Sequence, residues 1–286
     1  MTRPRTATVP GRGAVLTYDV HGEHRGGTPL MLIGSPMAAG HFAGLAAEFT
    51  DRPVLTYDPR GCERSTVDDP RRINTPEDHA ADLQRVLDAA GVERADVFAS
   101  SGGAINALAW VVAGGPLRTV VAHEPPLYAV LPDRAYATAV AERMYATYDR
   151  EGFGPAMAQF LTLVAHRGPF TAADLTAPAP DPAAFGLPTA DNGDRTDPLL
   201  WQNRPCIGWQ PDLVALRDTP TRLVLGIGEK SRDIVTGRTT TALADRLGLS
   251  PSVFPGGHAG FLAEDGSGMG GDPADFAAHL RAVLAG

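Results

Sequence analysis

The chain has 286 residues, of which 43% are hydrophobic, and its formal net charge is −8 at pH 7. This length and apolar content suffice to bury a large core, in one domain or in a domain with an inserted segment. The acidic balance gives no reason to expect a nucleic-acid partner, because such proteins usually carry a basic face. The partner we expect is a small-molecule substrate and not a nucleic acid, and the sequence leaves a homodimer open.

Targeting signals are not expected from the sequence. The N-terminal residues MTRPRTATVPGRG contain no apolar stretch typical of a secretory signal, and no apolar run approaches the roughly 18 residues of a membrane helix. Cys62 and Cys206 lie far apart and lack the spacing of a metal or redox motif. These features predict a cytoplasmic protein with reduced thiols and no membrane association.

The first predicted elements are strands. Residues 7–9 and 15–20 flank a Gly-Arg-Gly turn and predict an antiparallel hairpin. Short, largely apolar runs then recur along the chain, as is typical of strands that are buried on both faces of a parallel sheet. These runs cover residues 30–33, 54–57, 96–99, 119–123, 222–226 and 252–254.

Helical patterns separate these runs. Thr75-Pro76 combines an N-cap residue with proline at the first helical position, and an apolar stripe continues until Gly91. Asp272-Pro273 opens a last helix in the same way. The alternation of strands and helices predicts βαβ units and an α/β fold with a mostly parallel sheet.

The alternation stops between Pro125 and Arg217. Helical patterns cover about 133–150 and 155–166, and a tract rich in proline and alanine follows, with Trp201 and Trp209. Because strands resume afterwards, we interpret residues 125–217 as a helical cap inserted before the last two strands, and residues 1–124 and 218–286 as the core. The tryptophans predict that part of the cap packs tightly or lines a cavity.

A glycine pattern near the C-terminus resembles a dinucleotide-binding motif. Gly266, Gly268 and Gly271 match G-x-G-x-x-G, but only 15 residues follow Gly271, too few for the βαβ unit that such a site requires. We interpret the stretch as a loop. No cofactor is expected, and no closely spaced cluster of ligands predicts a metal.

The stretch Phe98–Gly103 lies where the strand at 96–99 should meet a helix. On such a sharp turn, the residues two before and two after an exposed serine must be small. Centring the turn on Ser100 would put Phe98 at one of these positions, whereas Ser101 has Ala99 and Gly103. The pattern therefore favours Ser101 as a nucleophile, with the N–H of Gly102 directed at a developing oxyanion. The alternative is an ordinary Ser/Gly turn that opens a helix.

A serine nucleophile needs a base, and the chain has eight histidines. His79 and His279 lie in amphipathic helical patterns and are interpreted as surface or packing residues. His258 differs, because it follows the last strand and has glycines on both sides, which lets the backbone bring its imidazole over the edge of the sheet. The alternative is a polar loop histidine.

Four segments in this order resemble motifs of the α/β-hydrolase superfamily: Leu32–Pro36, Tyr57–Ser65, the turn at Ser101, and Gly257-His258. In the second segment, Cys62 and Glu63 stand where histidine and glycine are commoner. The resemblance covers nearly the whole chain and implies an eight-stranded, mostly parallel sheet. It also implies that the N–H of Ser35 would complete the oxyanion hole with Gly102, with Met37 as the alternative if the loop is shifted.

The acidic partner of His258 has several candidates. In the superfamily it usually follows the strand before the histidine strand, and Gly226–Glu229 fits that pattern with glutamate. Some relatives instead place the acid after the strand that precedes the cap, where this chain has Glu124. We favour Glu229 over Glu124, with Asp233 as the third candidate.

These residues predict a serine hydrolase that cleaves a small to medium, largely apolar ester or lactone through an acyl-enzyme. Two alternatives remain open. The same pocket could serve a non-hydrolytic enzyme, such as a cyclase, a C–C bond-cleaving enzyme or a cofactor-free perhydrolase, because fold does not settle function. It could also belong to a catalytically silent protein that only binds its ligand.

Overall fold

The computed structural model describes residues 3–264, 266 and 268–286. Its central feature is one β-sheet. In chain order, the strands are β1 (Arg5–Gly11), β2 (Ala14–His21), β3 (Leu30–Ile33), β4 (Val54–Tyr57), β5 (Thr66–Val67), β6 (Ala95–Ser100), β7 (Leu117–His123), β8 (Arg222–Gly228) and β9 (Ser252–Phe254).

The sheet is mostly parallel, which confirms the predicted fold class. Eight strands follow the order β1-β2-β4-β3-β6-β7-β8-β9, and the two-residue β5 pairs with β2 outside this path. Strands β3, β4, β6, β7, β8 and β9 pair in parallel. The predicted hairpin is present as β1 and β2, which are antiparallel.

Helices cover the sheet and fill the segment between β7 and β8. In chain order, they are α1 (Ala43–Glu48), α2 (Pro76–Ala89), α3 (Gly102–Val112), α4 (Arg134–Glu151), α5 (Phe153–Ala165), α6 (Ala172–Thr176), α7 (Leu213–Asp218), α8 (Val235–Leu247) and α9 (Pro273–Ala285). Both predicted N-caps are confirmed. Asp78 N donates to Thr75 Oγ1 over 3.3 Å, and Ala274 N donates to the Asp272 carboxylate over 2.8 Å.

The alternation of side chains along each strand divides the core into two layers. Met31 and Ile33 of β3 belong to the cluster that includes α2 and α3, whereas Leu30 and Leu32 belong to the cluster with α1 and α9. All four are fully buried, and each contributes about 1.5–3 kcal/mol through burial. The sheet is therefore buried on both faces here, as its apolar sequence predicts.

The segment of residues 125–217, here called the β7–β8 segment, carries helices α4 to α7. The predicted helices at 133–150 and 155–166 correspond to α4 and α5 with shifts of one or two residues. None of the helices in the described ranges is long and apolar enough to cross a membrane.

Candidate active site

Ser101 lies at the turn between β6 and α3. Its φ is 56° and its ψ −128°, a conformation that a residue with a Cβ atom adopts only with strain of about 1–3 kcal/mol. The Ser101 N–H donates to the carbonyl of His123 over 3.0 Å, which ties the turn to the end of β7. The backbone is thus held in the sharp bend that the sequence predicts.

The small residues around this turn are required by close packing. A Cβ atom on Gly103 would lie 2.6 Å from the carbonyl oxygen of Ile33, and one on Gly102 would lie 2.5 Å from that of Ser35. Real Cβ atoms do not approach backbone this closely, so neither position accepts alanine without movement. The loop after β3 therefore contacts the start of α3.

Ser100, the other serine of the pair, points elsewhere. It is the last residue of β6, is fully buried, and places its Oγ 3.4 Å from Nδ1 of His123. Ser101, in contrast, lines a cavity of about 320 Å³ together with His258. The structure therefore separates the two adjacent hydroxyls.

His258 is held by a buried carboxylate. Its Nδ1 lies 2.6 Å from Oε2 of Glu124, whose side chain has no solvent exposure. Two further donors bind this carboxylate: Gly228 N to Oε1 over 2.8 Å, and Thr236 Oγ1 to Oε2 over 2.5 Å. Burial alone would raise the pKa of Glu124, but the interaction with His258 and the hydrogen bond from Thr236 outweigh it and lower the pKa to about 2.

The carboxylate that contacts His258 is that of Glu124 and not that of the favoured candidate Glu229. Glu229 is exposed, and its carboxylate accepts a hydrogen bond from the N–H of Gly256 over 3.2 Å. Asp233 is exposed as well. The β8 strand runs to Gly228, where a Cβ atom would come within 3.0 Å of Oε1 of Glu124. The missing side chain at Gly228 leaves room for the Glu124 carboxylate.

Ser35 and Gly102 both line the cavity beside Ser101, as does Met37. Gly102 opens α3, so its N–H belongs to the first turn of the helix and has no acceptor within the helix. Anionic groups are favoured at such an end. The two backbone segments that the sequence predicts as an oxyanion hole are therefore adjacent.

The chain is similar in sequence to one curated hydrolase over part of its length. No protein-family model matches the chain. Over 107 residues it is 35% identical to RutD of Caulobacter segnis, which is named as a carbamate hydrolase, and this match covers 36% of the chain and 39% of that protein. The chain thus spans about two fifths of the length of this curated relative.

Solved structures match over nearly the whole chain. Proline iminopeptidase of Mycobacterium smegmatis has a TM-score of 0.62 at 23% identity and covers 98% of both chains. The esterase RhEst1 from a Rhodococcus species has a TM-score of 0.65 at 18% identity, covering 99% of this chain and 98% of its own. This chain has the α/β-hydrolase fold.

Within the α/β-hydrolase fold, the Tyr57–Ser65 segment shapes the loop that carries Ser35. The Asp58 carboxylate accepts from Ala39 N over 3.0 Å and from Arg64 Nε over 2.6 Å. Glu63, which replaces the commoner glycine, adopts a φ of 46°. The left-handed backbone at this position explains why glycine fits it more easily.

Asn203, a polar residue that no sequence pattern predicted, also lines the cavity of this α/β-hydrolase fold. Its Nδ2 lies 3.5 Å from Oγ of Ser35, and its Oδ1 lies 2.8 Å from Nε2 of His79. His79 is buried, so it packs inside, and burial lowers its pKa. No signal in the proline-rich tract around Asn203 indicated this position.

Across residues 3–264, 266 and 268–286, no group of three or more His, Cys, Asp and Glu side chains is arranged to hold a metal ion. The two cysteines are both buried and unpaired. Burial raises the pKa of the Cys206 thiol, which lines the cavity, to about 12.

Proposed function

We propose that this protein is a serine hydrolase in which Ser101, His258 and Glu124 act as the catalytic triad. The observation that carries the proposal is the 2.6 Å contact between His258 Nδ1 and Glu124 Oε2, beside the cavity that Ser101 and His258 share. With Nδ1 directed at the carboxylate, the other ring nitrogen is the one available to a serine hydroxyl.

In the proposed reaction, Ser101 Oγ attacks the ester carbonyl carbon while its proton passes to Nε2 of His258. The carbonyl oxygen becomes an oxyanion that accepts hydrogen bonds from the N–H groups of Gly102 and Ser35. The C–O bond to the alcohol then breaks, and the alcohol leaves with the proton from Nε2. A water molecule gives a proton to His258 and attacks the acyl-enzyme, which releases the acid and returns the proton to Ser101.

The buried carboxylate supports this cycle electrostatically. A pKa of about 2 keeps Glu124 ionised at every pH at which the imidazole could act as a base. Its negative charge stabilises the imidazolium that forms when His258 takes the serine proton. The donors from Gly228 and Thr236 keep the carboxylate oriented without neutralising it.

The proposed substrate is a neutral, largely apolar ester or lactone. Among the described residues that line the cavity, none is Asp, Glu, Lys or Arg. The β7–β8 segment, which we propose is a cap over the core at 1–124 and 218–286, supplies mainly apolar wall. Its apolar lining residues include Met144, Phe160, Leu161, Val164 and Ile207. The names of the similar proteins, an esterase, an iminopeptidase and a carbamate hydrolase, agree with hydrolysis of an acyl bond.

The test is covalent labelling with a fluorophosphonate, which reacts with activated serines, followed by peptide mass spectrometry. We expect the label on Ser101, together with turnover of p-nitrophenyl hexanoate. An unlabelled Ser101 in folded protein would support the silent binding protein. Labelling with acylation but without release of acid would support a non-hydrolytic enzyme.

A further inference from the structure

Two tyrosine hydroxyls interrupt the apolar wall of the cavity. Tyr128 and Tyr145 both line it, Tyr128 from the turn that follows Pro126 and Tyr145 from α4. Tyr128 is only 2% exposed and packs against apolar side chains such as Ala141 and Leu163. Tyr128 is therefore enclosed by protein and is also part of the cavity wall.

Neither hydroxyl has a hydrogen-bond partner among the residues that the structure describes. Tyr57 Oη is also unpaired, but it is buried away from the cavity, whereas two other tyrosines of the described ranges are paired. Tyr148 Oη accepts from Asp197 N over 3.0 Å, and Tyr18 Oη donates to the carbonyl of Ala89 over 3.0 Å. A hydroxyl left unpaired in an apolar environment is unfavourable, so a ligand that accepts a hydrogen bond from it binds more tightly.

Both phenols remain donors. Burial raises the pKa of both Tyr128 and Tyr145 above the usual value of a phenol. The neighbouring Tyr145 raises the pKa of Tyr128 further, whereas Arg204 partly opposes the rise at Tyr145. The Arg204 guanidinium carbon lies 5.1 Å from the centre of the Tyr145 ring. A cation in contact with the ring polarises the phenol and strengthens its O–H as a donor.

The same wall offers no partner for a charged substituent, because the lining residues in the described part of the chain include no Asp, Glu, Lys or Arg. A carboxylate or an ammonium would lose its hydration without an opposite charge. A neutral carbonyl oxygen has two lone pairs and loses less hydration. It is the group that two phenol donors in an apolar wall suit best.

We propose that Tyr128 and Tyr145 form a subsite that donates hydrogen bonds to a second, neutral carbonyl oxygen of the substrate, apart from the carbonyl that Ser101 attacks. This inference rests on the proposed function for the reacting end of the substrate. It narrows the substrate class from apolar esters to apolar esters or lactones that carry a ketone or amide carbonyl on the chain lying against the β7–β8 segment.

The test compares p-nitrophenyl hexanoate with p-nitrophenyl esters in which one methylene of the acyl chain is replaced by a carbonyl. A second series compares alkyl hexanoates with esters in which one methylene of the alkyl chain is replaced by a carbonyl. We expect wild-type protein to prefer at least one keto ester about tenfold or more in kcat/KM. In Tyr128→Phe and Tyr145→Phe, we expect this ratio to fall about five- to tenfold, as the loss of one neutral hydrogen bond predicts.

Tyr148→Phe is the matched control, because it removes a paired phenol hydroxyl from the same helix without touching the cavity. Circular dichroism should show that all three variants fold. The subsite is overturned if no keto ester is preferred, if both cavity variants keep the ratio, or if Tyr148→Phe lowers it equally.

A binding measurement separates this proposal from the hydrolase proposal. Ser101→Ala protein is titrated with hexanamide and with the keto amides that correspond to the ester series. Tighter binding of one keto amide, lost in Tyr128→Phe, supports the subsite even if wild-type protein turns over no ester. Turnover of esters with no preference for any keto compound overturns the subsite and leaves the hydrolase proposal standing.

Discussion

The chain contains two adjacent serines: Ser100 lies beside His123, and Ser101 lines a cavity that His258 also lines. Ser100 Oγ is 3.4 Å from Nδ1 of His123, and both residues are fully buried. Ser101 shares a cavity with His258, whose Nδ1 contacts Glu124. Both pairs consist of a serine and a histidine, but in the described part of the chain only the second pair lines this cavity and has a carboxylate in contact with its histidine.

A serine and a histidine need access to a substrate and a carboxylate that stabilises the imidazolium before they can react efficiently. His123 packs among the rings of Phe98, Phe254 and Phe276, and burial lowers its pKa to about 4. Its Nε2 has no hydrogen-bond partner in the described ranges. Among the residues that the structure describes, His123 has no hydrogen bond to a carboxylate and does not line the cavity, so the inner pair contributes to packing, whereas the outer pair is suited to chemistry.

The largest expected effect comes from removing each serine in turn. In Ser101→Ala, we expect kcat/KM for p-nitrophenyl hexanoate to fall by about 10⁴-fold or more, because the nucleophile is lost. Ser100→Ala is the matched control and should stay within about threefold of wild type. Equal losses in both variants would contradict the assignment of roles to the two pairs.

Next in size is the loss of the carboxylate that distinguishes the outer pair. Glu124→Gln keeps the shape but removes the charge that stabilises the imidazolium, so we expect kcat to fall by about 10³- to 10⁴-fold. Glu229→Gln, on an exposed side chain, should leave kcat within about twofold. A larger loss from Glu229→Gln than from Glu124→Gln would restore the order of preference taken from the sequence.

A smaller effect is expected when the turn that separates the two serines is disturbed. The Cβ atom in Gly103→Ala would lie 2.6 Å from the carbonyl oxygen of Ile33. We expect a loss of about 1–3 kcal/mol in the free energy of unfolding, and a fall in kcat of about 10- to 100-fold because Ser101 moves. Urea denaturation and ester kinetics measure the two effects.

Gly26→Ala is the control for this variant, since an added Cβ atom there meets nothing within 4 Å. Its free energy of unfolding should stay within about 0.5 kcal/mol of wild type. If Gly103→Ala were equally harmless, the close contact between α3 and the loop after β3 would not constrain the turn.

The smallest effect concerns stability at acidic pH. The pKa of His123 is about 4 in the folded protein against an ordinary value of 6.5, so between these values the unfolded chain binds a proton that the folded one does not. Stability is therefore lost as the pH falls from 6.5 towards 4. Replacing the inner pair by Ser100→Ala/His123→Phe should reduce the loss between pH 7 and 4.5 by about 2 kcal/mol.

Urea denaturation across this pH range measures the slope. His79 is buried too and its lowered pKa acts in the same direction, so the slope should decrease without disappearing. The lowered pKa of Glu124 acts in a separate window, below its ordinary value of 4.5. An unchanged slope in the double variant would show that His123 is not the group that titrates on unfolding.

Local patterns were sufficient for the strands, for most helices and for the sharp bend at Ser101. The spacing of apolar residues along a strand or helix depends on which face is buried, so it can be recognised from residues that are close in the sequence. The turn at Ser101 requires small residues at Ala99 and Gly103, two positions away, so it too can be recognised over a short stretch. The superfamily resemblance then added the order of the motifs.

Only the tertiary structure determines which carboxylate contacts His258. Glu124 and Glu229 each follow a parallel strand, β7 and β8, so both reach the same edge of the sheet. Which carboxylate meets His258 depends on the space left at Gly228 and on the donor from Thr236, a residue more than a hundred positions from Glu124. No local pattern contains that information.

The polar residues of the cavity were decided in the same way. Asn203, Tyr128 and Tyr145 come from irregular turns and from one helix of the β7–β8 segment, and in the sequence they look like ordinary surface residues. The sequence by itself determined the sheet and the bend at Ser101, because both follow from contacts between near neighbours. Only the folded chain determined the partner of His258 and the lining of the cavity, because those depend on where distant backbone leaves room.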